Sequence, residues 1–224
     1  MNGVVGLGEQ FNRLFDEWAA SYDDTVQGAD MEYREVFRNY EIILQKISDR
    51  AHGFVIEFGV GTGNLTKKLM EKGLEVVGIE PSDNMRKIAQ QKLPNTKIMK
   101  GNFLSFPRQN KKVDAIVSSY AFHHLTDKEK EQAIKLYTNI LDTQGKIIFG
   151  DTIFENDKKK NEAYLQAKKK GYHRLAEDLN TEYYTTIPKM EQILHQYGFT
   201  TSFEQINDYV WILEAQLNRE AKLA

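Results

Sequence analysis

Cysteine is absent from the 224 residues. That absence removes disulfides, thiolate nucleophiles, cysteine-ligated zinc and iron–sulfur clusters. An excess of charge of one sign is missing too. The 30 Lys and Arg nearly balance 32 Asp and Glu, a net of −2, which leaves no electrostatic footprint for nucleic acid. No apolar run approaches the roughly 18 residues that a membrane span needs. Residues 1–8 are small and apolar but lack the basic start and long apolar stretch of a secretory signal, so the expected compartment is the cytoplasm. Internal repeats and low-complexity linkers are also lacking. Hydrophobic residues make up 41% of the chain, and its length suffices for a three-layer core. Residues 1–224 read as a single domain.

Against these absences one run stands out: Val55-Ile56-Glu57-Phe58-Gly59-Val60-Gly61-Thr62-Gly63-Asn64-Leu65. An apolar strand enters a turn with glycine at every second position, and a helix starts near Asn64. Glycine suits such a turn because a Cβ would block both the sharp bend and the approach of a ligand to the backbone. The next apolar run, Val76 to Ile79, ends at Glu80, 21 residues after Gly59. At that spacing an acidic side chain reaches a ribose diol bound over the turn. An adenosine-containing cofactor is therefore expected. A dinucleotide fingerprint would place its third glycine where Asn64 stands, and Glu57 would set a carboxylate close to a pyrophosphate. A sulfonium cofactor, which carries an ammonium and no phosphate, suits Glu57 and Glu80 better. The alternatives are an NAD-dependent oxidoreductase and a tight turn with no ligand.

The runs E-F-G-V-G-T-G-N-L and G-I-E-P-S resemble the class I S-adenosylmethionine-dependent methyltransferases, from about Phe11 to the C-terminus. Within them the chain is most similar to the small YrrT-type methyltransferases, through residues 57–66, Tyr120-Ala121-Phe122-His123-His124-Leu125-Thr126-Asp127 and Tyr183-Tyr184-Thr185-Thr186. The resemblance implies an α/β, Rossmann-like, doubly wound sheet of seven strands, order 3-2-1-4-5-7-6, with strand seven antiparallel. It also implies methyl transfer from S-adenosylmethionine to a small-molecule acceptor. A non-catalytic S-adenosylmethionine-binding protein would carry the same cofactor residues. The radical branch of this cofactor's chemistry, which needs three cysteines, is excluded.

Periodicity supports that architecture. Phe11, Leu14, Phe15 and Trp18 mark one helix, and a second is expected from Met31 to Arg50, together forming a cap over about 9–50. Strands are expected at 54–58, 75–80, 96–100, 113–118 and 144–150, alternating with helices at 64–72, 83–92 and 127–141. Pro81 suits a helix start directly after Glu80. A helix over 188–197 leads to strands 199–206 and 209–216, joined at Asn207-Asp208 and so antiparallel. The Lys-rich segment 154–186 is an insertion at the ligand-binding edge of the sheet and the candidate lid. Its lysine runs read as a solvated helix face, not a nucleic-acid site.

The expected cofactor residues are Tyr22, Glu57, Gly59, Gly61, Gly63, Glu80, Asn102 and Phe103. Gly59, Gly61 and Gly63 would cradle the methionine end and Glu80 would accept from the ribose hydroxyls. Tyr22, in the pair Tyr22-Asp23, resembles the Y-D with which relatives close the pocket near the cofactor carboxylate. Asn102 stands where the family pattern has Asp, and its amide oxygen would accept from the adenine amino group. Phe103 and Met85 either cover adenine or are plain core. His123 and His124 are the candidate catalytic pair. One could be a general base, or one ring could cap the helix beginning near Asp127. A metal is not expected, because adjacent residues do not share a face and no third ligand is evident. Tyr183 and Tyr184 would form an aromatic wall around the substrate or pack in the core.

Overall fold

Phe54 to Phe58 is apolar on both faces except at Glu57, a pattern that belongs in the middle of a covered parallel sheet. In the computed structural model, which describes Asp16 and residues 18–218, this run is strand β1 (Phe54–Phe58), buried at all five positions. The other strands are β2 (Glu75–Glu80), β3 (Lys97–Lys100), β4 (Val113–Ser119), β5 (Leu141–Phe154), β6 (Thr185–Thr186), β7 (Phe199–Gln205) and β8 (Val210–Leu217). The sheet order is β3-β2-β1-β4-β5-β8-β7, with β6 paired to the end of β5. Neighbours from β3 through β5 run parallel. β8 runs antiparallel to both β5 and β7. Leaving out the two-residue β6, this is the expected order 3-2-1-4-5-7-6.

Helices cover both faces. On one side α1 (Tyr40–Arg50) turns Ile43, Leu44 and Ile47 inward, and α2 (Asn64–Glu71) adds Leu65 and Leu69. α3 (Asp83–Lys92) packs Ala89 against Val60 and Ile98. On the opposite face α4 (Asp127–Ile140) contributes Ala133, Ile134 and Tyr137. Residues 154–186, the expected lid, hold α5 (Asp157–Lys169) and α6 (His173–Thr181), and α7 (Ile187–Gln196) joins the second core. No helix among the described residues is long and apolar enough to cross a membrane.

Three expectations need correction. The helix expected from Met31 starts only at Tyr40, because Asn39 is left-handed (φ 67) and residues 31–37 form turns and a bend. A short polar side chain that can bond locally tolerates that conformation, and no helix continues through it. Pro81 does not open α3. Ser82 is its N-cap, its hydroxyl accepting from the Met85 N–H at 3.1 Å. The fifth strand is longer than 144–150, since β8 pairs with it out to Thr152 and β6 pairs with Ile153 and Phe154. That extension carries Asp151 to the site. Phe11, Leu14 and Phe15 lie outside the described residues, while Trp18 packs against the core.

Candidate active site

The strand order reverses between β1 and β4, where open α/β sheets bind ligands beyond the strand ends. A cavity of about 460 Å³ opens there. Gly59 and Gly61 line it, both with positive φ (69 and 57). A Cβ on Gly59 would come within 2.6 Å of Ala121 Cβ, so the loop after β4 packs directly on the turn. At Gly61 such a Cβ would meet nothing within 4 Å: it would project into open space. The third glycine, Gly63, is absent from the cavity lining, and a Cβ on it would meet Leu93 of the α3 end.

Glu80 ties this turn to β2. Its Oε2 accepts from the Gly61 N–H and its Oε1 from the Ser82 N–H, both at 2.8 Å. Burial pushes its carboxyl up to about 7 despite those two donors. Glu57 lies under the turn, outside the cavity lining, with Oε2 accepting from the Thr66 hydroxyl at 2.6 Å. Burial raises it to about 8. Its Oε1 and the Ser118 hydroxyl are buried without a partner. A turn with a glycine open to the cavity and unsatisfied polar atoms close by fits a polar adenosine cofactor. Asp23 clamps the turn from the other side, accepting from the Thr62 hydroxyl at 2.6 Å and the Asn64 amide at 3.1 Å. Burial pushes Asp23 up, but Lys92, Thr62 and Asn64 together hold it below the usual carboxylate value. Tyr22 lines the cavity beside Trp18, edge-to-face at 5.4 Å.

Asn102 lines the cavity, but its side-chain oxygen already accepts from the backbone N–H groups of Leu104 at 2.9 Å and Ser105 at 2.8 Å. The expectation that this oxygen receives a base amino group therefore needs correcting: an Asx-type turn occupies it, and the amide NH2 is the group it has to offer. Phe103 and Met85 also line the cavity, at 7% and 2% exposure. Phe103 is built into an aromatic core, stacked on Phe58 and edge-on to Phe122, both at 5.3 Å.

The far wall comes from the loop after β4 and from the lid. Asp151 organises it. Oδ2 accepts from the Phe122 and His123 N–H groups (2.7 and 3.2 Å), and Oδ1 contacts His123 Nδ1 at 2.5 Å and the Thr152 N–H at 2.7 Å. Burial opposes charge on His123, but the Asp151 carboxylate outweighs it and raises the imidazole above its ordinary value. His124 is lowered by burial and by His123, while its Nδ1 meets Glu182 Oε2 at 3.0 Å. Tyr184 stacks on His123 at 4.9 Å and lines the cavity; Tyr183 is not part of that lining and gives its carbonyl to Lys130. Neither histidine caps α4. Thr126 and Glu129 do so with a reciprocal capping box, legible as T-x-x-E in the sequence.

Lid residues missed from the sequence complete the wall: Leu175, Asp178 and Glu182, with Tyr33 and Phe37 from the N-terminal side. Tyr33 donates its hydroxyl hydrogen to Asp178. No periodic signal marks these positions, since only the folded lid brings them over the sheet edge. Glu182 also overturns the premise that no third ligand accompanies the histidines. His123, His124 and Glu182 offer ligand atoms within 4.8 Å of one another, although the nitrogens facing Asp151 and Glu182 are engaged there.

Comparison with known proteins agrees with this geometry. Residues 55–145 match a family described as a methyltransferase domain. An uncharacterized methyltransferase of Bacillus pumilus is 53% identical over 210 residues, covering 94% of this chain and 99% of its own. One from Bacillus thuringiensis is 52% identical, covering 93% and 99%. Among solved structures, magnesium protoporphyrin IX methyltransferase from Synechocystis with bound SAM superposes at a TM-score of 0.70 and 16% identity, over 97% of this chain and 100% of that one. The DhpI–SAH complex does so at 0.72 and 17%, with the same coverage. The chain belongs to a family of methyltransferases, and it shares its fold with these SAM- and SAH-bound structures.

Proposed function

We propose that this methyltransferase acts on a small-molecule acceptor by in-line transfer, as one domain whose N-terminal cap (about 9–50) and lid (about 154–186) roof the site. The observation that carries this is the cavity itself. One continuous space runs from the glycine turn and Glu80 to His123, His124 and Tyr184, and its volume of about 460 Å³ falls in the size range of small-molecule sites. Glu80 is the residue for the ribose hydroxyls, Gly59 and Gly61 give the backbone bed, and Tyr22 closes the methionine end. Met85, Phe103 and the Asn102 amide border the base. Glu57 and Gly63 act from beneath the turn, one through its hydrogen bond with Thr66 and one by letting α2 start there. The cytoplasm is the proposed compartment, with no nucleic-acid partner.

The donor supplies an electrophilic methyl on a positive sulfur, so the protein's tasks are alignment and exclusion of water. His123, turned by Asp151 so that Nδ1 is held, can take a proton from the acceptor through its other nitrogen. The test is calorimetric melting with S-adenosylmethionine, S-adenosylhomocysteine and NAD in separate runs. A ligand at 100 times its Kd stabilises by about 2.7 kcal/mol. Upward shifts with the two sulfur compounds alone are expected; a shift with NAD alone would refute the assignment.

A further inference from the structure

The acceptor end of the cavity has an unbalanced charge. Four acidic residues line the cavity (Glu80, Glu129, Asp178 and Glu182), and among the described residues no lysine or arginine does, although the chain has 30 of them. The cations that approach from behind are already committed. Lys130 donates to the Leu125 and Tyr183 carbonyls, and Lys160 donates to the Tyr184 carbonyl. Arg174 pairs with Asp30 and Glu32. Glu182, with a side chain only 9% exposed, has His124 as its partner. Among the described residues, Asp178 has the Tyr33 hydroxyl as its hydrogen-bond partner. Among the described residues, neither acidic group on this wall has a lysine or arginine partner. Tyr33, Phe37 and Tyr184 border the same wall, and the Tyr33 ring already has the Arg174 guanidinium over it at 5.5 Å, an aromatic contact of the kind that holds organic cations.

We propose that the acceptor is an amine, bound as its ammonium against Glu182 and Asp178 with its carbon skeleton among these rings, which makes the reaction an N-methylation. The inference rests on the proposed function. An anionic acceptor would bury its charge against carboxylates without a partner, and a neutral alcohol would leave the wall uncompensated. In the reaction the ammonium loses its proton to the unprotonated form of His123, at the ring nitrogen that Asp151 does not hold, and the freed nitrogen lone pair forms the N–C bond. The C–S bond breaks with its electron pair remaining on sulfur, and the product is a neutral thioether.

The experiment is isothermal titration of the full-length protein, first with S-adenosylhomocysteine and then, on the saturated protein, with 2-phenylethylamine, 2-phenylethanol and phenylacetate in turn. The amine is expected to bind at least about tenfold more tightly than the other two, a difference of about 1.4 kcal/mol. Glu182→Gln and Asp178→Asn should each remove most of that preference, while the affinity for S-adenosylhomocysteine stays as in the parent. Equal or tighter binding of the alcohol or the acid overturns the proposal, as does an amine that fails to bind. So does amine binding that EDTA abolishes and a divalent ion restores, since the histidines and Glu182 would then be holding a metal. Failure of S-adenosylhomocysteine to bind would instead count against the proposed function. The preference for amine over acid is then read on the free protein and stands or falls separately.

Discussion

At the residue scale, the two buried glutamates make the same demand on the protein. Folding raises Glu57 to about 8 and Glu80 to about 7 from an ordinary 4.5. The native state therefore holds protons that the unfolded chain has released. These groups contribute most stability below about pH 4.5, and that contribution is lost as pH rises toward 8. Glu57→Gln keeps the shape without the charge. It should melt above the parent at about pH 9 by roughly 2–4 °C for each kcal/mol recovered, and with the parent near pH 5. An offset that is the same at both pH values would show that charge is not the cause. The glycines make different demands. Gly59→Ala meets Ala121 at 2.6 Å, whereas Gly61→Ala meets nothing within 4 Å. In melting and titration, Gly59→Ala should lose fold stability. Gly61→Ala should lose only about 1–2 kcal/mol to its left-handed backbone yet lose most affinity for S-adenosylhomocysteine, because its methyl enters the cavity. The spacing of these residues was legible in the sequence. That Asn102 spends its oxygen on its own loop was not, because an Asx turn depends on the path of the following residues.

Among the elements, β1, β2 and α3 follow the expected boundaries because their apolar periodicity is strong, and the hairpin of β7 and β8 follows because Asn207 holds it. The Asn207 side-chain oxygen accepts from the Tyr209 and Val210 N–H groups at 2.8 and 2.7 Å. The lid was legible only as an irregular Lys-rich piece. Its attachment depends on Lys130, a lysine 1% exposed on the inner face of α4. By bonding the Leu125 and Tyr183 carbonyls it joins the loop after β4 to the end of the lid. Lys130→Met leaves both carbonyls without that donor and should destabilise by about 1–3 kcal/mol, with faster proteolysis within 154–186. Thr126→Ala, which removes only the α4 cap, should lose about 1 kcal/mol and leave the lid as resistant as before. If both variants lose stability but cleave alike, Lys130 is no tether.

Over the whole molecule, the site is assembled from stretches far apart in the chain: Tyr22 to Phe37, the turn at 59–63, residues 102–105, 119–125, and the lid at 175–184. Binding should therefore register at a distance. Hydrogen exchange with S-adenosylhomocysteine is expected to slow at 59–63, 119–125 and 173–184 together, leaving α7 and β7 unchanged. Slowing confined to the turn would mean that the lid does not respond to the cofactor. What the sequence by itself determined is what short-range physics encodes: the strand–turn–helix at Gly59, the acid at Glu80, the alternation that builds a parallel sheet, and through these the family. What only the tertiary structure decided is the far wall of the cavity. Asp151 lies 28 residues from His123 and Glu182 58 residues from His124, and no periodicity relates them. They meet because β5 runs on past its neighbour and the lid folds back over the sheet edge. Those long-range contacts also set the charge of the wall, and with it the chemistry it can accept.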